Sequence, residues 1–170
     1  MNSTTRNRIP KEFFITRGAG DSDNQIHAGS YHMALHEAGI CEYNIMSYSS
    51  VLPATAVEIK QQDAEKMPFG SELMTIMSSV NGRRGDIISA GIILGWLYDG
   101  ERKVGGLVCE VNGRFDANTL VIRLNASLHE LHDRTFPTLK LKDLQTVTRT
   151  HTVKRKYGTA LCALCFTSFE

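Results

Sequence analysis

The sequence predicts an α+β fold, a β-rich sandwich with two helices and no doubly wound parallel sheet. Three observations lead there. Segments of strand character outnumber helical ones, and the two kinds do not alternate. Turn-forming clusters, Asn81-Gly82-Arg83-Arg84-Gly85-Asp86 and Asp99-Gly100-Glu101-Arg102, separate successive strands in the middle of the chain. A length of 170 residues suits a single domain spanning 1–170 with a real core.

In order, residues 11–16 read as a strand and 17–23 as a loop rich in glycine and acid. Gly18-Ala19-Gly20 sits where a phosphate loop would, but the rest of the dinucleotide fingerprint and the P-loop Lys-Ser/Thr are missing. Nucleotide binding is therefore excluded. Residues 27–39 read as a helix, with Ser30 as N-cap, Gly39 as stop, and Tyr31, Ala34, Leu35 and Ala38 facing the core. A strand over 40–48 then delivers Ser49-Ser50, and Pro53 forbids helical continuation. Residues 56–59 form a short strand and 60–68 a polar loop. Three strands follow, over 72–80, 87–98 and 104–111.

Residues 116–133 suit a second helix, opened by Asp116 and with Leu120, Leu124, Leu128 and Leu131 on one face. Strands over 139–153 and 157–169 close the chain around Lys154-Arg155-Lys156, which reads as a solvated hairpin tip. Arg84-Gly85-Asp86 matches an adhesion motif and reads as a turn.

Composition excludes several function classes. Net charge is +1, so no general attraction to nucleic acid or anionic membrane is implied. No apolar run approaches the roughly 18 residues of a membrane span. Residues 1–10 are polar and read as a tail or an arm on a neighbour, not as a signal peptide. Cys41, Cys109, Cys162 and Cys165 then read as reduced thiols of a cytoplasmic protein. Cys162 and Cys165 have CxxC spacing, but in a strand they point to opposite faces, so a structural role is the better reading.

Two groups carry possible chemistry. His32 and His36 are four apart on a helix and could hold a metal with Asp21 or Asp23. The HExxH order is absent, however, and surface histidines explain the pair as well. Glu110 ends the apolar stretch after Val104 and shares a face with Val108 and Gly106. A carboxyl among such neighbours has its charged form disfavoured and can act as an acid near neutral pH. An exposed glutamate at a strand end is the plainer alternative.

Five ordered segments resemble one family. They are Gly18-Ala19-Gly20-Asp21-Ser22-Asp23; Ala34-Leu35 with Ala38-Gly39-Ile40; Asn44 through Ser49-Ser50 to Pro53; Gly105-Gly106-Leu107-Val108-Cys109-Glu110; and 156–166. Together they resemble the pyruvoyl-dependent arginine decarboxylases over nearly the whole chain. The resemblance implies a four-layer αββα sandwich, assembled as trimers or dimers of trimers with active sites between subunits. It also implies a covalent pyruvoyl cofactor derived from Ser50. The Ser50 hydroxyl would attack the Ser49 carbonyl, and the chain would split into 1–49 and 50–170, with Asn44 assisting the processing. The pyruvoyl group serves as an electron sink for decarboxylation of an amino-acid substrate, and Glu110 matches the catalytic acid.

His32 stands where family members carry the aspartate that receives the guanidinium. A neutral histidine cannot offer a bidentate carboxylate. Asp21 or Asp23 could replace it, or the substrate could be another amino acid. The leading expectation is decarboxylation of arginine to agmatine. Behind it stand the same chemistry on another amino acid, an uncleaved non-catalytic homologue, and a metal hydrolase using His32 and His36.

Overall fold

A computed structural model describes residues 8–170 and is α+β, with nine strands, β1 to β9, in two sheets and two α-helices, α1 and α2, among those residues. The five-stranded sheet contains β2 (Asn44–Ser47), β5 (Glu72–Arg83), β9 (Tyr157–Phe169), β1 (Pro10–Ser22) and β4 (Val57–Glu58), in that order. The four-stranded sheet runs β3 (Val51–Pro53), β7 (Arg102–Gly113), β6 (Ile87–Asp99) and β8 (Lys140–Thr152). The long strands pair antiparallel; only the short edge pairs β1–β4 and β2–β5 are parallel.

Three larger apolar clusters, with a smaller fourth of Ile88, Ala90, Val153 and Ala160, hold these parts together. Phe13, Ile76, Ile92, Val108, Leu164 and Phe166 join residues from both sheets. Phe14, Ala34, Leu35, Leu161 and Cys165 bind α1 (His32–Glu37) to the five-stranded sheet. Ile93, Leu107, Leu120 and Leu124 bind α2 (Ala117–Thr135) to the four-stranded sheet. Strand β9 feeds the first cluster with Cys162, Leu164 and Phe166 and the second with Leu161, Ala163 and Cys165. The two CxxC sulfurs therefore diverge as expected. Burial pushes the Cys162 thiol up to about 12 and raises Cys165 further, so both are inert packing groups.

Helix α2 is capped as expected, Asp116 accepting a hydrogen bond from the Thr119 N–H at 2.7 Å. Among the described residues no helix is long and apolar enough to cross a membrane.

Four expectations need correction. Residues 17–22 are not a loop but the second half of β1, paired with β9 through Ser22 opposite Tyr157. The glycines there serve close approach: a Cβ on Gly18 would stand 2.1 Å from the Ala34 carbonyl oxygen, and one on Gly20 2.5 Å from the Ala34 nitrogen. The helix expected over 27–39 is broken. A wide turn, Ile26–Tyr31, leaves helical geometry at Ala28 and Gly29 before α1 begins. Ser30 is no cap but is buried, with its hydroxyl 2.8 Å from that of Thr159. The strand expected over 40–48 is only β2, because Ile40 finishes the α1 packing and donates its N–H to the Leu35 carbonyl.

Residues 1–7 of the expected tail lie outside the described residues. Ile9 is tied to the far end of the chain, exchanging backbone hydrogen bonds with Glu170 at 3.0 and 3.1 Å.

Replacing Gly18 by alanine forces α1 off β1. A loss of about 1–3 kcal/mol is expected, read as a lower urea midpoint at unchanged slope; an unaltered midpoint would contradict the close-approach account.

Candidate active site

Ser49-Ser50 occupies the passage from one sheet to the other. Strand β2 lies beside β5, Ser47 opposite Thr75, and the Tyr48 N–H donates to the Thr75 carbonyl at 2.8 Å. Three residues later β3 lies beside β7, with Val51 opposite Leu107 and Leu52 opposite Gly106. The sequence dictates this crossing. Tyr48 packs its ring against Phe166 and Phe169 on one side, and Leu52 is buried on the other. Gly106 lets β3 come close, since a Cβ there would stand 3.0 Å from the Trp96 ring and 3.3 Å from Leu52 Cβ.

Backbone donors then hold the pair. The Val108 N–H donates to the Ser50 carbonyl at 3.0 Å, and the Val51 N–H donates to the Ser49 carbonyl at 3.0 Å. The second contact polarises the carbonyl that a Ser50 hydroxyl would attack.

Glu110 is the side chain that meets Ser50. It sits on β7 opposite Ile92, two residues beyond Val108, and so faces the space between the sheets. The Ser50 hydroxyl donates to the Glu110 carboxylate, 3.0 Å from Oε2 and 3.3 Å from Oε1. Burial raises the Glu110 pKa, and the Ser50 hydrogen bond opposes that rise only in part. The result is a half-buried hydroxyl beside a half-buried carboxyl whose charged form burial disfavours, next to the hydrogen-bonded carbonyl of exposed Ser49. Nucleophilic attack and general-acid chemistry are both open to it.

The other expected site residues lie apart from this contact. Asn44, at the start of β2, donates its side-chain amide to the Gly70 carbonyl at 2.7 Å. His32 is exposed and lines a cavity of about 740 Å³ with Tyr31, Asn44, Phe69 and Glu72. His36 opens onto a different cavity, beside Gln61 and Lys66. Among the described residues no group of three His, Cys, Asp or Glu is placed to hold a metal ion.

Asp21 and Asp23 are already engaged. Asp21 meets the His151 Nε2 at 3.0 Å and accepts from the Lys154 N–H at 3.2 Å. Asp23 accepts from Arg155 at 2.7 Å and from the Lys156 N–H at 3.2 Å, and the Arg155 contact holds its carboxyl below the ordinary range. These residues clamp the Lys154-Arg155-Lys156 segment, which is solvated as expected but is no hairpin tip, because β8 and β9 belong to different sheets.

Reading strand pattern alone passes over Arg149 and His151. They are two apart on β8 and meet Glu37 and Asp21. The signal lies in spacing: once 17–22 is taken as strand, acids and bases at two-residue intervals face each other across the sheets.

Comparison with known proteins places this geometry in context. Residues 12–170 match the family described as pyruvoyl-dependent arginine decarboxylase. A pyruvoyl-dependent arginine decarboxylase of Chlamydia abortus is 30% identical over an alignment covering 96% of this chain and 93% of that protein. Archaeal proteins of the same name match over shorter stretches. The one from Thermoplasma volcanium is 34% identical over 49% of this chain and 46% of its own, and that from Methanopyrus kandleri is 32% identical over 54% and 57%. The chain thus spans about half the length of these archaeal relatives.

The raised Glu110 pKa has a consequence for stability. Its unfolded-state value lies near 4.5, and burial lifts the folded-state value above that. Between the two, the folded state binds more protons, so this contribution is full below the unfolded value and is lost as pH rises through the folded one. Glu110→Gln should therefore gain stability relative to wild type as urea titrations move from acid to mildly alkaline pH. A difference independent of pH would contradict the burial assigned to Glu110.

Proposed function

We propose that this chain, which belongs to the pyruvoyl-dependent arginine decarboxylase family, cleaves itself at Ser49-Ser50 and then decarboxylates arginine to agmatine. The observation that carries this reading is the Ser50 hydroxyl on the Glu110 carboxylate at 3.0 Å. The substrate follows the names of the relatives.

The residues present suit a pyruvoyl group derived from Ser50. The position is half-buried, its own carbonyl has a donor in the Val108 N–H, and a carboxyl stands beside the side chain. Such a group, a ketone joined to an amide carbonyl, supplies the electron sink that decarboxylation needs.

The chain's own groups do the rest. In processing, the Ser50 oxygen attacks the Ser49 carbonyl carbon, whose oxygen is held by the Val51 N–H, and the Ser49–Ser50 C–N bond breaks as the ester forms. Elimination then releases Ser49 as a carboxylate, and water hydrolyses what remains at residue 50 to the ketone with loss of ammonia. Asn44 contributes by tying the start of β2 to Gly70, which sets where Ser49-Ser50 arrives. The products, 1–49 and 50–170, stay together because Tyr48 remains packed on Phe166 and β2 remains paired with β5. In turnover, burial disfavours the Glu110 carboxylate and so favours the protonated form, which can deliver a proton to the substrate carbon after carbon dioxide has left.

The same reading includes the architecture and the assembly. The three apolar clusters support a four-layer order of helix, sheet, sheet, helix. Exposed Met46, Val51 and Phe69, near the β2–β3 edge, support a trimer or dimer of trimers with sites between copies. Four free cysteines, three of them buried, suit a cytoplasmic setting.

Carbon dioxide release from carboxyl-labelled amino acids tests the activity. Arginine should exceed lysine, ornithine and histidine by at least about tenfold in kcat/KM, and equal rates would refute the substrate. Glu110→Gln should lower kcat by about 10²–10⁴ while the protein still self-cleaves, since the amide oxygen can still accept from Ser50. Unchanged turnover would remove Glu110 from the mechanism.

A further inference from the structure

We infer that Ser78 is a positioning residue for Glu110: its hydroxyl reaches from the five-stranded sheet to the Val111 carbonyl and so fixes the carboxyl that supplies the proton in turnover. The inference rests on the decarboxylase reading above and deepens it.

Ser78 is fully buried on β5, between Ile76 and Val80 on the face that looks at the other sheet. A hydroxyl in that surround costs free energy unless it is bonded, and this one is bonded both ways. It donates to the Val111 carbonyl at 2.8 Å and accepts from the Gly91 N–H at 3.3 Å. Gly91 and Val111 lie opposite each other in the β6–β7 pair. A side chain of one sheet therefore closes on a rung of the other. Cys162, opposite Ser78 on β9, adds a weaker crossing from its Sγ to the Ala90 carbonyl at 3.3 Å.

Strand β7 needs that hold at this point. Its pairing with β3 ends at Leu107, and the Val108 N–H makes one further bond to the Ser50 carbonyl. From Glu110 onward, among the described residues, β7 has a strand beside it only on the β6 side. An edge without a partner leaves backbone groups unpaired and opens locally more readily than a flanked strand. Ser78 grips the residue next to Glu110, where that freedom begins.

Self-cleavage sharpens the need. Ser50 is the one side chain bonded to the Glu110 carboxylate among the described residues. Conversion of residue 50 to a ketone removes the hydroxyl that makes this bond. Before cleavage, Ser50 and Ser78 both locate the carboxyl. Afterwards its place depends on the β7 backbone, and so on Ser78. Turnover therefore feels the loss of Ser78 more than self-cleavage does.

The test follows self-cleavage by denaturing mass spectrometry and, on the cleaved protein, steady-state decarboxylation. Ser78→Ala should lower kcat about 10- to 100-fold, as a small misplacement of a reacting group does. KM and the rate of self-cleavage should stay within about threefold of wild type. Ser78→Cys keeps the bulk with only a weak donor; it should lower kcat in the same direction and serves if the alanine form does not fold. Added to Glu110→Gln, Ser78→Ala should cost almost nothing further, because the two residues act as a unit. Ser89 is the control, equally buried and bonded to the Phe115 carbonyl at 2.7 Å; Ser89→Ala should leave kcat within about threefold of wild type. With wild type active, an unchanged kcat in the folded Ser78 variants overturns this inference alone. So does self-cleavage that falls as far as kcat, an equal loss in Ser89→Ala, or full additivity with Glu110→Gln, since general loosening would then explain the effect. Wild-type protein that neither cleaves itself nor releases carbon dioxide from any amino acid overturns both this inference and the reading beneath it.

Discussion

The contact between the Ser50 hydroxyl and the Glu110 carboxylate depends on one constraint: the chain must pass from the edge of one sheet to the edge of the other within three residues. Ser47 still belongs to β2 and Val51 already belongs to β3. A segment that short cannot choose its conformation freely. Tyr48 is seated on Phe166 and Phe169 at one end and Leu52 on Gly106 at the other, so the serines between them are held at a fixed place. Sheet pairing then turns Glu110 inward, because β7 must place Val108 in the shared core. The hydroxyl–carboxylate contact is a by-product of packing two sheets face to face.

The opposite flank is fastened by charge. Arg17 reaches the Thr148 carbonyl, Arg149 meets Glu37, and His151 meets Asp21. These contacts join β8 to β1 and α1, and the half-buried ones resist solvent screening better than exposed pairs do. Burial alone would raise the Glu37 carboxyl, yet Arg149 and the Ala19 N–H hold it below its ordinary value. One flank thus uses acids and bases for cohesion, while the other leaves its carboxyl beside a hydroxyl for chemistry.

Much of this was legible from residue pattern. The long strands, the Asp116 cap, the leucine face of α2 and the divergence of Cys162 from Cys165 all follow from periodicities of 2 and 3.6. Glu110 facing the core side with Val108 follows from the same alternation. What pattern could not reveal was proximity between distant segments. Gly18 and Gly20 look like loop residues until α1 is seen lying on them. Asp21 looks like a free acid until β8 brings His151, 130 residues later, against it. Each is a tertiary fact that no local window contains.

The central claim is that residue 50 becomes a pyruvoyl group, and intact mass under denaturing conditions tests it most directly. The account predicts two species in place of the 18.9 kDa chain, meeting between Ser49 and Ser50. The larger should resist N-terminal sequencing and react with a carbonyl reagent, and Ser50→Ala should leave the chain whole. A wild-type chain that stays intact after prolonged incubation at neutral pH would contradict it.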